Sequence, residues 1–316
     1  MRYVTTSELS RMLRSNLWKI PHDIDLVVGI PRSGLMVANM VALYLNKRLS
    51  DIDSFVEGRI FNIGSSRAHM VADTPIRKVL VVDDSVMSGT SLENAKQKLR
   101  PLSDKYEFCY FAPIVTSTSS HMVDAYAEIV DDVRIFEWNL FHHSLLESAC
   151  IDLDGVLCVD PPVDDDGEIY TNYILNATPL FIPTTTIGTI VTCRLEKYRS
   201  QTETWLKKNN IKYHNLVMLD MPSREARIKW GRYGEYKANY YSQHDGVLFI
   251  ESSLRQATTI AQLSHKDVIC IETNSLIKYE KQSLSIKVKR KVKRRMPKTF
   301  RLAKQTLHFL KKMTQH

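Results

Sequence analysis

The sequence predicts an α/β protein of two successive doubly wound domains with mainly parallel sheets, followed by a basic helical tail. Three observations carry this. Short β-branched runs alternate with segments of helical period. The length of 316 residues is about twice that of a usual domain. Residues 281–316 carry thirteen Lys and Arg and no Asp or Glu.

The strand-like runs are DLVVGI (25–30), KVLVVDD (78–84), FCYFAPIVT (108–116), ACIDLD (149–154), TIGTIVTC (186–193), LVMLD (216–220), GVLFIES (246–252) and DVICIET (267–273). Between them, 34–47, 89–100 and 195–209 have the length and period of crossover helices. RIFEW (134–138) reads as the last strand of the first half, and 139–148 as the connection. The expected domains are therefore 1–143 and 144–280, with a tail at 281–316. The acidic stretch 159–172 reads as an insertion directly after a strand.

Hydrophobic content of 44% and charged content of 25% are those of a folded globular protein and argue against wholesale disorder. Five scattered cysteines without a CxxC pair speak against zinc and redox couples and fit a reducing cytosol. Residues 1–24 lack the apolar core of a signal peptide, and no apolar run is long enough to span a bilayer. A cytoplasmic location is the expectation. The net charge of +8 belongs to the tail, and the first 280 residues are net negative.

The richest stretch is VLVVDDSVMSGTS (79–91): an apolar strand, two adjacent carboxylates, a loop of small residues and a helix start. Ligands of open α/β sheets bind beyond the carboxyl ends of strands, which is where Asp83 and Asp84 would emerge. Two such carboxylates suit paired ribose hydroxyls. Backbone N–H groups of Ser85, Val86, Met87, Ser88, Gly89, Thr90 and Ser91, with the hydroxyls of Ser88, Thr90 and Ser91, would surround a phosphate at a helix N-terminus.

This stretch resembles the type I phosphoribosyltransferase family. The resemblance implies that Asp83 and Asp84 hold the ribose hydroxyls of phosphoribosyl pyrophosphate (PRPP), while residues 85–91 take its 5-phosphate. Ser88 stands where the family more often has Thr. The family's pyrophosphate loop falls on Gly29 to Gly34, with Pro31, Arg32, Ser33 and Gly34 as binding residues. GRIFNIGSSRAH (58–69) reads as a flap over the leaving group, with Arg59, Arg67 and His69 as candidates, or as a solvated hairpin. Mg²⁺ on the pyrophosphate would stabilise its departure.

A second motif is ACIDLDGVL (149–157), in which Asp152 and Asp154 alternate on an extended strand and so face one side. Such a pair can divide labour between nucleophile and proton carrier. The stretch resembles haloacid-dehalogenase (HAD)-like phosphatases, whose further motifs follow in order. Thr192, taken as ending the strand GTIVTC, fits the phosphate-binding hydroxyl, Lys237 the phosphate-neutralising lysine, and Glu251 the metal-binding acid. The resemblance implies Mg²⁺ held by Asp152, the carbonyl of Asp154 and Glu251. That family often carries two acids at the last motif, whereas Ser252 and Ser253 follow Glu251 here. Arg194, Lys197 and Arg199 could grip a phosphosugar or form a charged helix face. Only 37 residues separate Asp154 from Thr192, which implies a minimal cap and an open site, with 163–168 as a partial lid.

In the tail, KVKRKVKRR (287–295) precedes Phe300, Ala303, Leu307, Leu310 and Met313 at helical spacing. A basic amphipathic helix of this kind suits an anionic membrane surface, peripheral on the inner face, more than nucleic acid, for which stacking aromatics are sparse, and a solvated or protein-contacting tail stands beside it as an alternative. The two halves together resemble dual-domain ribofuranosyltransferases of bacterial surface-polysaccharide assembly, such as those making O antigen or capsule. That resemblance implies transfer of 5-phosphoribosyl from PRPP to a glycan acceptor, then removal of the 5-phosphate. Two alternatives stand beside it: a nucleobase phosphoribosyltransferase coupled to a nucleotide 5-phosphatase, and a PRPP-sensing regulator. A homo-oligomer is compatible with any of them.

Overall fold

The computed structural model describes residues 1–61, 75–162 and 166–279. Arg67, His69 and the basic tail lie outside the described residues. The chain divides into two compact units. The first comprises Met1–Leu146 with Pro183–Thr185, and the second Glu147–Ile182 with the described chain from Thr186 onward.

In the first unit the elements run β1 (Arg2–Val4), α1 (Thr6–Asn16), β2 (Leu26–Gly29), α2 (Ser33–Leu45), β3 (Arg48–Asp51), α3 (Ile52–Val56), β4 (Lys78–Val82), β5 (Ser85–Val86), α4 (Thr90–Leu99), β6 (Glu107–Val115), β7 (Ala125–Ile129) and β8 (Arg134–Phe136). The main sheet has the order β3-β2-β4-β6-β5, with β7 also on β6, and every pairing is parallel. Alternation along the strands explains why these runs are apolar throughout. Val27, Leu80 and Val82 pack on one face with Val37 and Val41 of α2, while Leu26, Val28, Val79 and Val81 pack on the other with Leu92 and Ala95 of α4. Each such buried side chain contributes about 1.5–3 kcal/mol.

RIFEW does not extend this sheet. Its strand, β8, pairs in parallel with β1, Arg2 opposite Arg134, as a separate two-stranded sheet. The chain starts at β2, steps outward to β3 and returns to β4 on the other side of β2. This reversal puts the crevice of a doubly wound sheet between the loops that follow β2 and β4.

The second unit repeats the logic. It contains β9 (Cys150–Ile151), α5 (Glu168–Asn176), β10 (Ile187–Leu195), α6 (Arg199–Lys208), β11 (Tyr213–Leu219), α7 (Arg224–Trp230), α8 (Tyr233–Gln243), β12 (Leu248–Glu251), α9 (Leu254–Ser264), β13 (Asp267–Cys270) and β14 (Ser275–Ile277). Its sheet has the order β11-β10-β9-β12-β13-β14, parallel except for β14. Phe249, Val268 and Cys150 pack beneath α8 and α9, while Leu195, Met218 and Leu219 pack with Tyr170 and Ile174 of α5. The first strand is central and the order reverses on either side of it, so the crevice lies at the ends of β9 and β12.

Thr192 does not end its strand. β10 continues to Leu195, with a register irregularity between Val191 and Leu195. Among the described residues no helix is long and apolar enough to cross a membrane.

Candidate functional site

In the first unit, Asp83 and Asp84 follow the last residue of β4 and are both buried. The Asp84 backbone N–H donates to Asp83 Oδ1 at 2.8 Å, which fixes the first carboxylate. Burial, then the charge of Asp84, pushes the Asp83 carboxyl up to about 7. The loop after β2 lies directly against this pair. Ile30 N–H donates to Val82 O at 2.9 Å, and a side chain on Gly34 would stand 2.9 Å from Asp83 Cα, Asp83 Oδ1 and Val82 O. Glycine is required there by the closeness of the two loops.

A cavity of about 300 Å³ opens over the pair, lined by Pro31, Ser33 and the whole run from Asp83 through Ser91. At its floor, Gly89 adopts φ +79°, the left-handed region, and begins α4, whose first N–H groups have no intrahelical acceptor. Ser88 Oγ lies 3.0 Å from Thr90 Oγ1. Ser119 Oγ donates to Val86 O at 2.7 Å and braces the loop from behind. The arrangement offers carboxylates for hydroxyls beside amides and hydroxyls for a phosphate.

Some expected residues stand apart from it. Arg32 is exposed and does not line the cavity, although its neighbours Pro31 and Ser33 do. Arg59 pairs with Glu57 at 2.5 Å and does not line the cavity either. Conversely, Arg134, Phe136 and Asn139 line the cavity and went unread in the sequence, because RIFEW carries a strand pattern and nothing more, and Asn139 opens what reads as a plain connection.

In the second unit, Asp152, Lys237 and Glu251 converge, with exposures of 5%, 2% and 0%. Lys237 Nζ stands 2.8 Å from Asp152 Oδ2 and 2.7 Å from Glu251 Oε2. Asp152 Oδ1 accepts from Leu153 N–H at 2.9 Å, and Glu251 Oε1 from Ser253 N–H at 3.1 Å. One lysine serves two buried carboxylates, so burial and Glu251 together drive Asp152 well above the usual carboxylate range despite the lysine. Lys237 itself is held charged by the same two acids against the effect of burial.

Asp154 is held differently. Arg194, itself buried, donates from Nη2 to Oδ1 at 2.6 Å and from Nε to Oδ2 at 3.0 Å, and Tyr173 of α5 donates to Oδ1 at 2.9 Å. Burial works against the charge of Asp154, but the guanidinium overrides it and holds the carboxyl below its ordinary range. Arg194 is thus consumed by Asp154 and does not present itself to a phosphosugar. Lys197 pairs with Asp166 at 2.7 Å, and Arg199 with Glu203 at 3.3 Å. Thr192 is buried, its Oγ1 accepting from Arg194 N–H at 3.1 Å. Asp160 is a carboxylate the sequence reading passed over. Its Oδ2 and Ser252 both crowd the face of Gly155, and burial, then Asp154 and Glu251, raise its pKa. Among the described residues no three His, Cys, Asp or Glu side chains are grouped to hold a metal by themselves.

Residues 6–144 match the family model described as a phosphoribosyl transferase domain. The N-terminal part therefore carries a domain of the type I phosphoribosyltransferase fold. The chain is 35% identical over 83 residues to the transcriptional regulator GfcR of Halobacterium salinarum, covering 25% of this chain and 39% of the relative. It thus spans well under half the length of that relative. Among solved structures, it resembles a purine phosphoribosyltransferase of Pyrococcus horikoshii at 20% identity and TM-score 0.32, covering 43% of this chain and 92% of that one. A xanthine-guanine-hypoxanthine phosphoribosyltransferase of Helicobacter pylori is similar at 19% identity and TM-score 0.34, covering 44% and 92%.

Proposed function

We propose that the first unit transfers a 5-phosphoribosyl group from PRPP to a hydroxyl of a glycan, and that the second unit removes the 5-phosphate from the product. The observation that carries the reading is the convergence, at the switch point of each sheet, of a chemically matched set. One set is Asp83 and Asp84 with the Ser85–Ser91 cradle, and the other is Asp152 with Lys237 and Glu251.

In the transfer, the acceptor oxygen bonds to the anomeric carbon as the bond to pyrophosphate breaks. The electron pair leaves with pyrophosphate, and the acceptor proton passes to pyrophosphate or water. Asp83 and Asp84 orient the ring through its hydroxyls, and residues 85–91 anchor its 5-phosphate. In the second reaction, Asp152 attacks phosphorus and the sugar oxygen leaves, taking a proton from water. Water then releases phosphate from Asp152. Asp154 is kept ionised by Arg194 and Tyr173, and to take a proton from that water it must give up part of these contacts, which hold its basicity down.

Asp152 and Glu251 share a single buried cation, which leaves one negative charge uncompensated away from water. An all-oxygen set with surplus negative charge fits Mg²⁺, which Asp152, Glu251 and the Asp154 carbonyl would hold. When bound, Mg²⁺ supplies charge neutralisation for the phosphoryl oxygens. The 281–316 tail fits attachment to an anionic membrane surface, where a lipid-linked acceptor would be found.

The test is to incubate the protein with PRPP, Mg²⁺ and candidate acceptors and to weigh the products of wild type and Asp152→Asn. The variant product is expected heavier by one phosphate, and equal masses refute the division of labour. Likeness to a transcriptional regulator over 83 residues favours a second reading, a PRPP-sensing regulator. That reading predicts PRPP binding without turnover under any acceptor, whereas a nucleobase enzyme would release pyrophosphate with bases.

A further inference from the structure

The Asp83–Ser91 loop accounts for the ribose and phosphate of the donor, yet the donor cavity has a further wall that these roles leave unused. Arg134 and Phe136 alternate on β8 and so face one side, and Asn139 follows two residues after Glu137. The Phe136 ring is buried and stacked on Trp138, with centroids 4.7 Å apart and planes 16° apart.

Asn139 Oδ1 is buried and has no hydrogen-bond partner among the described residues. A buried carboxamide oxygen left this way costs free energy until something donates to it. Arg134 makes no ion pair among the described residues, and the charge it senses is Asp84. Burial lowers its pKa, so the site gains from an added anionic or carbonyl partner. The cavity is lined mostly by Asp, Ser, Thr, Arg and Asn side chains, and its one aromatic lining residue, Phe136, is buried with a face stacked on Trp138, so it exposes little ring surface. A flat base, which gains its affinity from two ring faces, finds little there. A hydroxyl donating to Asn139 while a carbonyl or carboxylate meets Arg134 satisfies both groups.

We infer that Arg134 and Asn139 form the acceptor subsite of the first unit and select a hydroxylated sugar over a nucleobase. This rests on the transfer reading above. It adds which residues recognise the acceptor and by what chemistry.

The experiment uses the full chain. Titration calorimetry measures PRPP affinity, and saturation-transfer NMR in the presence of pyrophosphate and Mg²⁺ probes the methyl glycosides of galactose, glucose and N-acetylglucosamine beside adenine and uracil. At least one glycoside is expected to receive saturation from the wild type. That signal should fall at least tenfold in Asn139→Ala and in Arg134→Gln, with partial recovery in Arg134→Lys and PRPP affinity kept within twofold. Stronger saturation of the bases, no saturation of any glycoside, or variants that lose PRPP affinity while keeping the glycoside signal each overturn the assignment. Absence of PRPP binding by the wild type overturns the transfer reading itself, and the subsite falls with it.

Discussion

Lys237→Met tests the second site most directly. The ammonium group touches two carboxylates at 2.8 and 2.7 Å, all three groups being nearly excluded from water. Methionine keeps most of the volume and removes the charge, so the loss is electrostatic. Breaking a buried pair typically costs about 3–5 kcal/mol, because the surviving charge is left in a poor medium. At roughly 2–4 °C per kcal/mol for a domain of about 150 residues, the melting point falls by about 10 °C. The sign of the pH dependence follows from Asp152. Its folded pKa lies above the unfolded value, through burial and Glu251, so the native state binds a proton more tightly than the unfolded chain. Stability from this group is therefore lost as pH rises, and more so without Lys237. Urea unfolding in EDTA should show the full deficit at pH 8 and a smaller one at pH 5.5, where a proton substitutes for the missing cation. A loss under about 1 kcal/mol at pH 8, or a deficit that grows on acidification, would refute the shared-cation account.

Three further outcomes are expected. Gly34→Ala places a methyl group 2.9 Å from the Asp83 backbone, which has no rotamer with which to move away; a loss of about 1–3 kcal/mol in denaturant unfolding and at least tenfold in PRPP affinity should follow. Asp83 is pushed up to about 7 by burial and Asp84, so the ionised pair forms as pH rises through neutrality, and PRPP binding measured by calorimetry should tighten from pH 6 to pH 8. Asp84→Asn should move that midpoint downward, and an unmoved midpoint would exclude Asp84 as a cause. Arg194→Lys should behave nearly as badly as Arg194→Met in thermal unfolding, because a lysine cannot supply the two-pronged contact to Asp154.

The parallel sheets were legible because strands buried on both faces must be apolar without interruption, as in VLVV before Asp83 and LFI before Glu251. The acidic ends were legible for a related reason: a charge at the end of such a run must emerge at the mouth of the sheet. Arg194 was harder to read. A basic residue just past a strand looks like a surface group, and only the continuation of β10 to Leu195 turns it inward onto Asp154. Asn139 and Arg134 were invisible for lack of any local signal. Their position depends on β8 pairing with β1, a contact between residues more than a hundred positions apart, and no window of sequence contains it.

That pairing also bears on how the first unit assembles. The strands behind Asp83 and Ile30 join segments relatively near in the chain, whereas the wall holding Arg134 closes only when Arg2–Val4 meets Arg134–Phe136. A contact between segments so far apart in the chain carries a larger loop-closure cost than those within the main sheet. Val4 of that first strand is also packed in the core with Val27, Leu80 and Val82, so a chain shortened there would lose support beneath the strands that carry Ile30 and Asp83 together with the wall that holds Arg134.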